Sequence, residues 1–474
     1  MQKNWPDIKT IVSDVKTGKV LAEDMVKESL DRIIKNKEFK TIIATTEARA
    51  LNRAKQIDQS VKSGETVGRL AGVPFIAKDN FLAFGANTTT GSNMLKGFDS
   101  PYQATAIEKL EDEGAICVAK ANLDAFAHGS STENSDFFTT LNPYDKTRVP
   151  GGSSGGSASA VALNLTPFTL GTDTGGSIRL PASFCGVVGF KPTYGLVSRS
   201  GVVAMASSAD VVGPIASSIN DVAEVLDVIS GKDELDSTTI NKDPLGYTNL
   251  SEPTNLTIGV VKEYFGEGLN VEVKKIIELQ IQKLKKAGHK IKEISIPTLP
   301  LALACYYVLC PAEISSNLSR YDGQRFGFSS NKADNLEQSY EFSRTEGFGK
   351  EAKRRIMIGT YVLSSGYYDA YYNRAQTVRT KLINEFNKAF EQVDILLGPT
   401  APDVAFKIGQ KANDPLAMYL TDIMTVGANL VGIPAISLPV GKVGKLPVGL
   451  QLMASQKSDR QLLAISLEVE RNNK

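Results

Sequence analysis

Residues 151–181 read GGSSGGSASAVALNLTPFTLGTDTGGSIRLP, and this stretch decides the fold. Two serine-bearing glycine turns, 151–156 and 171–177, bracket an apolar run. Glycine lets a backbone turn tightly, expose its N–H groups and bring a serine hydroxyl close to a ligand. A glycine-serine turn by itself fits a flexible linker equally well. The residues between the turns do not: Ala158, Ala160, Val161, Ala162, Leu163, Leu165, Phe168 and Leu170 ask for burial. The stretch therefore predicts packed structure presenting Ser153 and Ser177 on its two turns.

Upstream, Leu70–Asn80 (LAGVPFIAKDN) is an almost wholly apolar run that delivers one lysine, Lys78. It is either a strand whose lysine reaches solvent at its end, or a lysine held at the mouth of a buried site. A helix is expected over Thr105–Glu113, closed by Gly114, then a strand over Ala115–Ala119 and a polar loop over Asn122–Ser135. Residues 1–60 read as helical, with Leu21, Met25, Val26, Leu30, Ile33 and Ile34 at helical spacing. Downstream, glycines and prolines from Pro181 to Gly201 suit a backbone threading around a pocket. A helix is predicted over Ile219–Ile229, followed by a polar connector to about Asn255.

A strand over Leu256–Val261, an amphipathic helix carrying Val273, Ile276, Ile277 and Leu284, and a strand over Ile291–Ile294 form a β-α-β pattern. That pattern argues for parallel strands covered by helices. His289, just past Gly288, reads as a solvated turn residue. Residues 321–348 read as loop-rich, 350–372 and 378–390 as helical, and 393–397, 435–438 and 448–452 as late strands. There is no internal repeat and no clean linker, so one large α/β domain is expected.

Composition narrows the function. The 474 residues are 42% hydrophobic and 22% charged, as in a soluble globular protein. Lys plus Arg total 53 against 52 Asp plus Glu, which removes the electrostatic case for a whole-surface nucleic-acid binder. Cys117, Cys185, Cys305 and Cys310 lack CxxC spacing and read as reduced, buried thiols of a cytoplasmic protein. The N-terminal residues lack a signal-peptide core, and glycines and prolines break the long uncharged stretch 423–441, so no membrane is expected. With only His128 and His289, a multi-histidine metal site is excluded, and no metal is predicted.

The common phosphate motifs fail. GGSSGGSA lacks the Lys-Ser/Thr ending of a P-loop, and no GxGxxG follows the early strands. Asp173-Thr174-Gly175 matches the Asp-Thr-Gly of aspartic proteases, whose chemistry needs a second facing copy that this chain lacks. What remains is Ser177 beside glycine N–H groups, Ser153 in a second turn, and Lys78. An amide is a poor electrophile: a serine nucleophile needs deprotonation, and the oxyanion needs preorganised donors. The N–H groups of Thr174, Gly175 and Gly176 are placed in sequence to be those donors. With histidine so scarce, lysine is a suitable base if burial lowers its pKa from about 10.4 by several units. Ser153 could relay the proton between Lys78 and Ser177.

The 151–181 block, through both turns to Gly175-Gly176-Ser177-Ile178-Arg179-Leu180-Pro181, resembles the amidase signature family, and Lys78 stands where that family has its lysine. The resemblance implies a single α/β domain with a large mixed sheet sandwiched by helices. It also implies a Ser–Ser–Lys triad: Ser177 as nucleophile, Ser153 after a cis peptide as relay, Lys78 as base. The domain would span 1–474, with an N-terminal helical segment (1–60), a signature core (70–215) and the remaining sheet and substrate-binding helices (255–455). Within the family, Gly129–Ser135, Ser343–Gly349 and Ser364–Tyr372 are similar to the A subunits of bacterial glutamyl-tRNA(Gln)/aspartyl-tRNA(Asn) amidotransferases.

That resemblance implies a glutaminase and, by local motif, Arg355, Asp422 and Tyr306 as holders of glutamine, with Ser130 beside them. A bidentate guanidinium suits the α-carboxylate, and both charges of glutamine must be met once it is desolvated. On spacing alone Arg354 or Tyr307 serves equally. His128 departs from the apolar residue expected there and reads as a packed or hydrogen-bonded pocket wall. The implied partners are glutamine, a B subunit that uses ATP and magnesium on the mischarged tRNA, and a small C subunit. No cofactor is expected in this chain. The alternatives are a stand-alone amidase of broad specificity and a catalytically silent scaffold.

Overall fold

The computed structural model describes residues 4–251 and 253–473. Its strands are β1 (Ile42–Thr45), β2 (Pro74–Lys78), β3 (Ile116–Ala121), β4 (Phe168–Asp173), β5 (Val188–Lys191), β6 (Val211–Ala216), β7 (Thr257–Val261), β8 (Lys290–Ile294), β9 (Ile395–Pro399), β10 (Ala435–Val443) and β11 (Leu446–Ala454). They form one 11-stranded sheet in the order β1-β3-β2-β4-β6-β5-β10-β11-β9-β7-β8. The sheet is mixed: β3-β2-β4 and β9-β7-β8 are parallel, and the pairs from β4 through β6, β5, β10 and β11 to β9 are antiparallel.

β2 explains its own sequence. It runs parallel to a neighbour on each side and is buried on both faces, so an unbroken apolar run replaces alternation. Along β9 the alternation shows which face is which. Ile395 and Leu397 enter the core shared with the N-terminal helices, whereas Leu396 enters the core of the helices at 302–317 and 374–390. The sheet is thus covered on both faces, as the sandwich expectation required. The helical stretch 299–320 is apolar and long enough to cross a bilayer, but half of it is buried against the fold.

The helix Ile219–Ile229, the parallel β7/β8 pair and the three late strands lie where the sequence places them. Four expectations need correction. The N-terminal segment holds β1 as well as helices, because a short edge strand pairs with β3. The loop-rich reading of 321–348 misses the helix Leu336–Gly347, which Asn335 caps by accepting from the Gln338 N–H. The helix expected over 350–372 breaks after Leu363 and resumes as a π-helical turn over Asp369–Asn373 that runs into the α-helix Arg374–Phe390. His289 is buried, not solvated: its Nδ1 accepts from the Leu256 N–H at 3.1 Å and its Nε2 lies 3.0 Å from Glu468.

Candidate active site

The two glycine turns and the end of β2 converge. The helix Gly155–Ala162 and β4 return the chain so that the second turn lies against the first, with the Ser154 N–H donating to the Ser177 carbonyl at 3.1 Å. The Gly152–Ser153 peptide is cis, as expected. Lys78, at the end of β2, is fully buried. Its Nζ lies 2.8 Å from Ser153 Oγ, 2.9 Å from Ser154 Oγ and 2.8 Å from Thr172 Oγ1. The solvent-reaching reading of Lys78 is thereby excluded.

These contacts define the lysine's state. Burial lowers its pKa to about 7, against the upward pull of Asp124, Asp173 and Asp210. Ser154 Oγ donates to the Thr172 carbonyl at 3.1 Å, and Thr172 Oγ1 already accepts from Asn80 Nδ2 at 3.1 Å. A neutral amine has two N–H donors and one lone pair. Donors directed to Ser154 and Thr172 leave the lone pair facing the Ser153 hydroxyl. One strand away Lys120, equally buried, meets the Asp79 carboxylate at 2.7 Å instead. The contrast separates a lysine kept as an ion pair from one surrounded by hydroxyls.

The turn carrying Ser177 is held by Asp173 and Arg179, both fully buried. Asp173 accepts from Arg179 Nη2 at 2.9 Å and Nε at 3.0 Å, and from Asn429 Nδ2 at 2.9 Å. Burial works to raise the Asp173 pKa, but the Arg179 charge overrides it and holds the carboxyl well below the usual range. Arg179 in turn donates to Gln451 Oε1 at 2.6 Å, Asn429 Oδ1 at 2.6 Å and the Thr425 carbonyl at 3.1 Å.

Asp173 also takes the Gly176 N–H at 2.9 Å. This corrects the expectation that Thr174, Gly175 and Gly176 all offer free donors: the Gly176 N–H is committed to shaping the turn. The turn requires glycine. Gly176 has φ +133°, and a Cβ there would lie 2.2 Å from Thr425 Oγ1. At Gly175 a Cβ would lie 2.7 Å from the Tyr306 ring. Thr425 Oγ1 donates to the Gly175 carbonyl at 2.6 Å, and Thr174 Oγ1 to Asp210 at 2.6 Å. Ser177 keeps slight exposure, at 9%, so a ligand can reach it.

The second half of the site comes from distant chain. Ser130 Oγ donates to Asp422 Oδ2 at 2.6 Å and the Tyr307 hydroxyl to the same oxygen at 3.3 Å. Burial raises the Asp422 pKa to about 7 against the opposing pull of Ser130, Arg355 and Tyr307. Arg355 is buried and donates through Nε to Glu351 at 2.9 Å, its guanidinium 5.4 Å from the Tyr307 ring and 5.8 Å from the Tyr419 ring. Those two rings stack at 3.8 Å. The alternatives left by spacing are now resolved. Arg354 is 44% exposed and turns to Glu351, so Arg355 is the pocket arginine. Both tyrosines belong: Tyr306 packs on the nucleophile turn and Tyr307 bonds Asp422.

His128 is buried and lies against Phe126 at 6.1 Å between ring centroids, a packed wall residue as expected but with no hydrogen-bond partner for either ring nitrogen among the described residues. The loop after it is latched by Asp124, which accepts from the Thr132 N–H at 2.8 Å and the Asn134 N–H at 3.0 Å. The motif reading missed Ser154, Thr172, Asp173, Thr425 and Tyr419. Ser154 and Thr172 stood inside the glycine turns, beside residues already singled out. Tyr419 and Thr425 carried no local signal. Among the described residues no cluster fit to hold a metal occurs, and all four cysteines are free and buried.

Known proteins match this arrangement over nearly its whole length. The amidase family model matches residues 24–463. The A subunit of glutamyl-tRNA(Gln) amidotransferase from Thermoanaerobacter pseudethanolicus is 51% identical over 97% of this chain and 95% of its own. The Staphylococcus aureus protein of the same name is 44% identical over 99% of this chain and 98% of its own. The crystal structure of the corresponding Thermotoga maritima protein, again the A subunit of a glutamyl-tRNA(Gln) amidotransferase, superposes with a TM-score of 0.79 at 40% identity, covering 95% of this chain and 92% of that one. The peptide amidase of Stenotrophomonas maltophilia superposes with a TM-score of 0.82 at 28% identity, covering 98% and 96%.

Proposed function

Because the chain belongs to the amidase family, we propose that it is the glutamine-hydrolysing subunit of a tRNA-dependent amidotransferase. In this reading the neutral Lys78 amine accepts the Ser153 hydroxyl proton as Ser153 takes the proton of Ser177. Ser177 Oγ bonds to the side-chain amide carbon of glutamine. The N–H groups of Thr174 and Gly175 face the oxyanion, with the Gly176 N–H holding the turn through Asp173. Collapse of the tetrahedral intermediate breaks the C–N bond. The proton returns through Ser153 to the leaving nitrogen, and ammonia departs. Water, deprotonated by the same relay, attacks the acyl-serine ester, releasing glutamate and restoring the Ser177 hydroxyl.

The observation that supports the substrate assignment is the buried Arg355 and Asp422, brought from separate helical segments to the same tyrosine, Tyr307, whose hydroxyl bonds Asp422 and whose ring lies 5.4 Å from the Arg355 guanidinium. A guanidinium for the α-carboxylate, and a carboxylate with the Ser130 hydroxyl for the α-ammonium, fit an amino acid; a simple amide has no use for them. The names of the relatives support a role inside an assembly. Ammonia would pass to a B subunit that activates the mischarged Glu-tRNA(Gln) or Asp-tRNA(Asn) with ATP and magnesium, a small C subunit joining the two, in the cytoplasm. The near-balanced charge agrees with tRNA contact being mainly the task of the B subunit.

The deciding experiment measures ammonia release from glutamine, asparagine and propionamide by wild type and Ser177→Ala, alone and with candidate B and C subunits. Glutamine-selective release that is lost in Ser177→Ala and raised by the partners is expected. Vigorous propionamide turnover by the isolated chain would overturn the reading in favour of a general amidase.

A further inference from the structure

His128 buries two polar ring nitrogens where a plain apolar wall would bury none. The residue is 1% exposed, yet neither Nδ1 nor Nε2 has a hydrogen-bond partner among the described residues. Buried polar side chains are nearly always paired, so an imidazole with both nitrogens free needs a cause. An apolar side chain would fill the same wall without that penalty.

The backbone holds this imidazole in place. The His128 N–H donates to the Ala125 carbonyl at 3.0 Å, and the His128 carbonyl accepts from Asn134 Nδ2 at 2.9 Å. The two residues before it, Phe126 and Ala127, sit at φ +53° and +63°, a left-handed conformation that costs energy for non-glycine residues. Such strain persists where the surroundings need a particular side chain aimed in a particular direction. Two residues on, Ser130 Oγ donates to Asp422 at 2.6 Å, so His128 and the ammonium side of the clamp share one short loop.

The charge environment sets the protonation state. Burial first, and then the positive charge of Arg355, hold the His128 pKa well below its ordinary 6.5. A neutral imidazole offers one N–H donor and one lone pair. Next to a fixed cation, the group that satisfies a neutral N–H donor is an anion shared with that cation.

We propose that His128 is a substrate-recognition residue, its ring N–H donating to the α-carboxylate that Arg355 binds. The proposal rests on the glutamine reading above and adds a second donor to its carboxylate end. It makes the carboxylate, more than the amide, the group this chain discriminates on.

The test measures dissociation constants by calorimetry on the full chain carrying Ser177→Ala, which binds without turnover. The ligands are L-glutamine and 4-aminobutanamide, which is glutamine without its α-carboxylate. Adding His128→Met is expected to weaken glutamine binding about 10-fold, or about 1.4 kcal/mol. His128→Gln, which restores an N–H donor, should return it to within about threefold of the parent. Affinity for 4-aminobutanamide should be unchanged by either substitution. Equal glutamine affinity in parent and His128→Met, or an equal loss for both ligands, overturns the proposal and leaves His128 a packing residue. His128→Gln keeps the test open if the methionine variant fails to fold. A Ser177→Ala parent that binds no glutamine at all sinks the glutaminase reading itself, and is told apart by occurring before any change at His128.

Discussion

The proposed nucleophile turn and the proposed amino-acid clamp adjoin through Thr425, whose hydroxyl meets both the Gly175 and the Asp422 carbonyls, and they differ in how completely their polar groups are paired. Around Ser177 the polar groups are paired both locally and from far along the chain: Asp173 holds Gly176, Ile178 and Arg179 within six residues of it, and Asn429, Gln451 and Thr425 bond Asp173, Arg179 and Gly175 from 256, 272 and 250 residues away. Even the Lys78 amine finds three hydroxyl groups at 2.8, 2.9 and 2.8 Å. The proposed clamp leaves more of its polar capacity open. Ser130 and Asp422 stand 292 residues apart in sequence, Tyr307 and Asp422 stand 115 apart, and His128, two residues before Ser130, has no partner for either ring nitrogen among the described residues. A site that performs the same bond-breaking on every substrate can be completely satisfied before the substrate arrives. A site that must recognise two charges keeps polar capacity in reserve.

That contrast can be broken by experiment, and the largest effect belongs to the base. Lys78→Met should lower kcat for glutamine and propionamide alike by roughly 10⁴-fold while leaving glutamine affinity within about threefold. Steady-state ammonia release together with calorimetry checks this, and a selective loss on glutamine would place Lys78 in recognition instead. Next in size is Arg179→Met, which strands the buried Asp173 carboxylate without its cation and should cost about 3–5 kcal/mol of stability. Urea denaturation measures it. A loss under about 1 kcal/mol would show that the turn does not depend on the pair.

Asp422→Asn sharpens the comparison from the other side. It should raise KM for glutamine roughly 10- to 100-fold and change propionamide turnover less than about threefold, because only the charged substrate uses that carboxylate. Equal effects on both substrates would merge the two regions into one.

The smallest effect is a slope. In the proposed reaction Lys78 works as the neutral amine and Asp422 as the carboxylate, and burial brings both pKa values to about 7. Both active forms are deprotonated, so activity rises with pH. Below pH 7, log kcat/KM should climb with slope one for propionamide and toward two for glutamine. In Asp422→Asn the glutamine slope should fall to one.

The same difference governs what could be read from the chain. The triad lay in two dense motifs and one apolar run, because glycine turns and a both-faces-buried strand impose local composition. Ser154 and Thr172 escaped although both sit within those motifs, since the motif says which residues are present and not which oxygen meets the amine. The Gly176 N–H was expected to be free; only the folded turn shows the Asp173 carboxylate taking it. For the clamp, the sequence left Arg354 level with Arg355 and Tyr307 level with Tyr306. Helical phase alone does not say which of two adjacent residues faces inward when the partner helix is far away in sequence. The helix over 336–347 escaped for a related reason: its face is largely polar, with only Ser343 and Gly347 buried.

The sequence by itself determined that this is one α/β chain with a serine on each of two glycine turns and a lysine emerging from a buried strand. Those features depend on periodicity and on glycine's conformational range, both of which are local. Only the tertiary structure decided that Lys78 lies among hydroxyls while Lys120 pairs with a carboxylate, that Arg355 and Asp422 both meet Tyr307, and that His128 is buried with no ring partner among the described residues. Protonation and recognition depend on burial and on which charges meet across the fold, and those are set by packing between segments hundreds of residues apart.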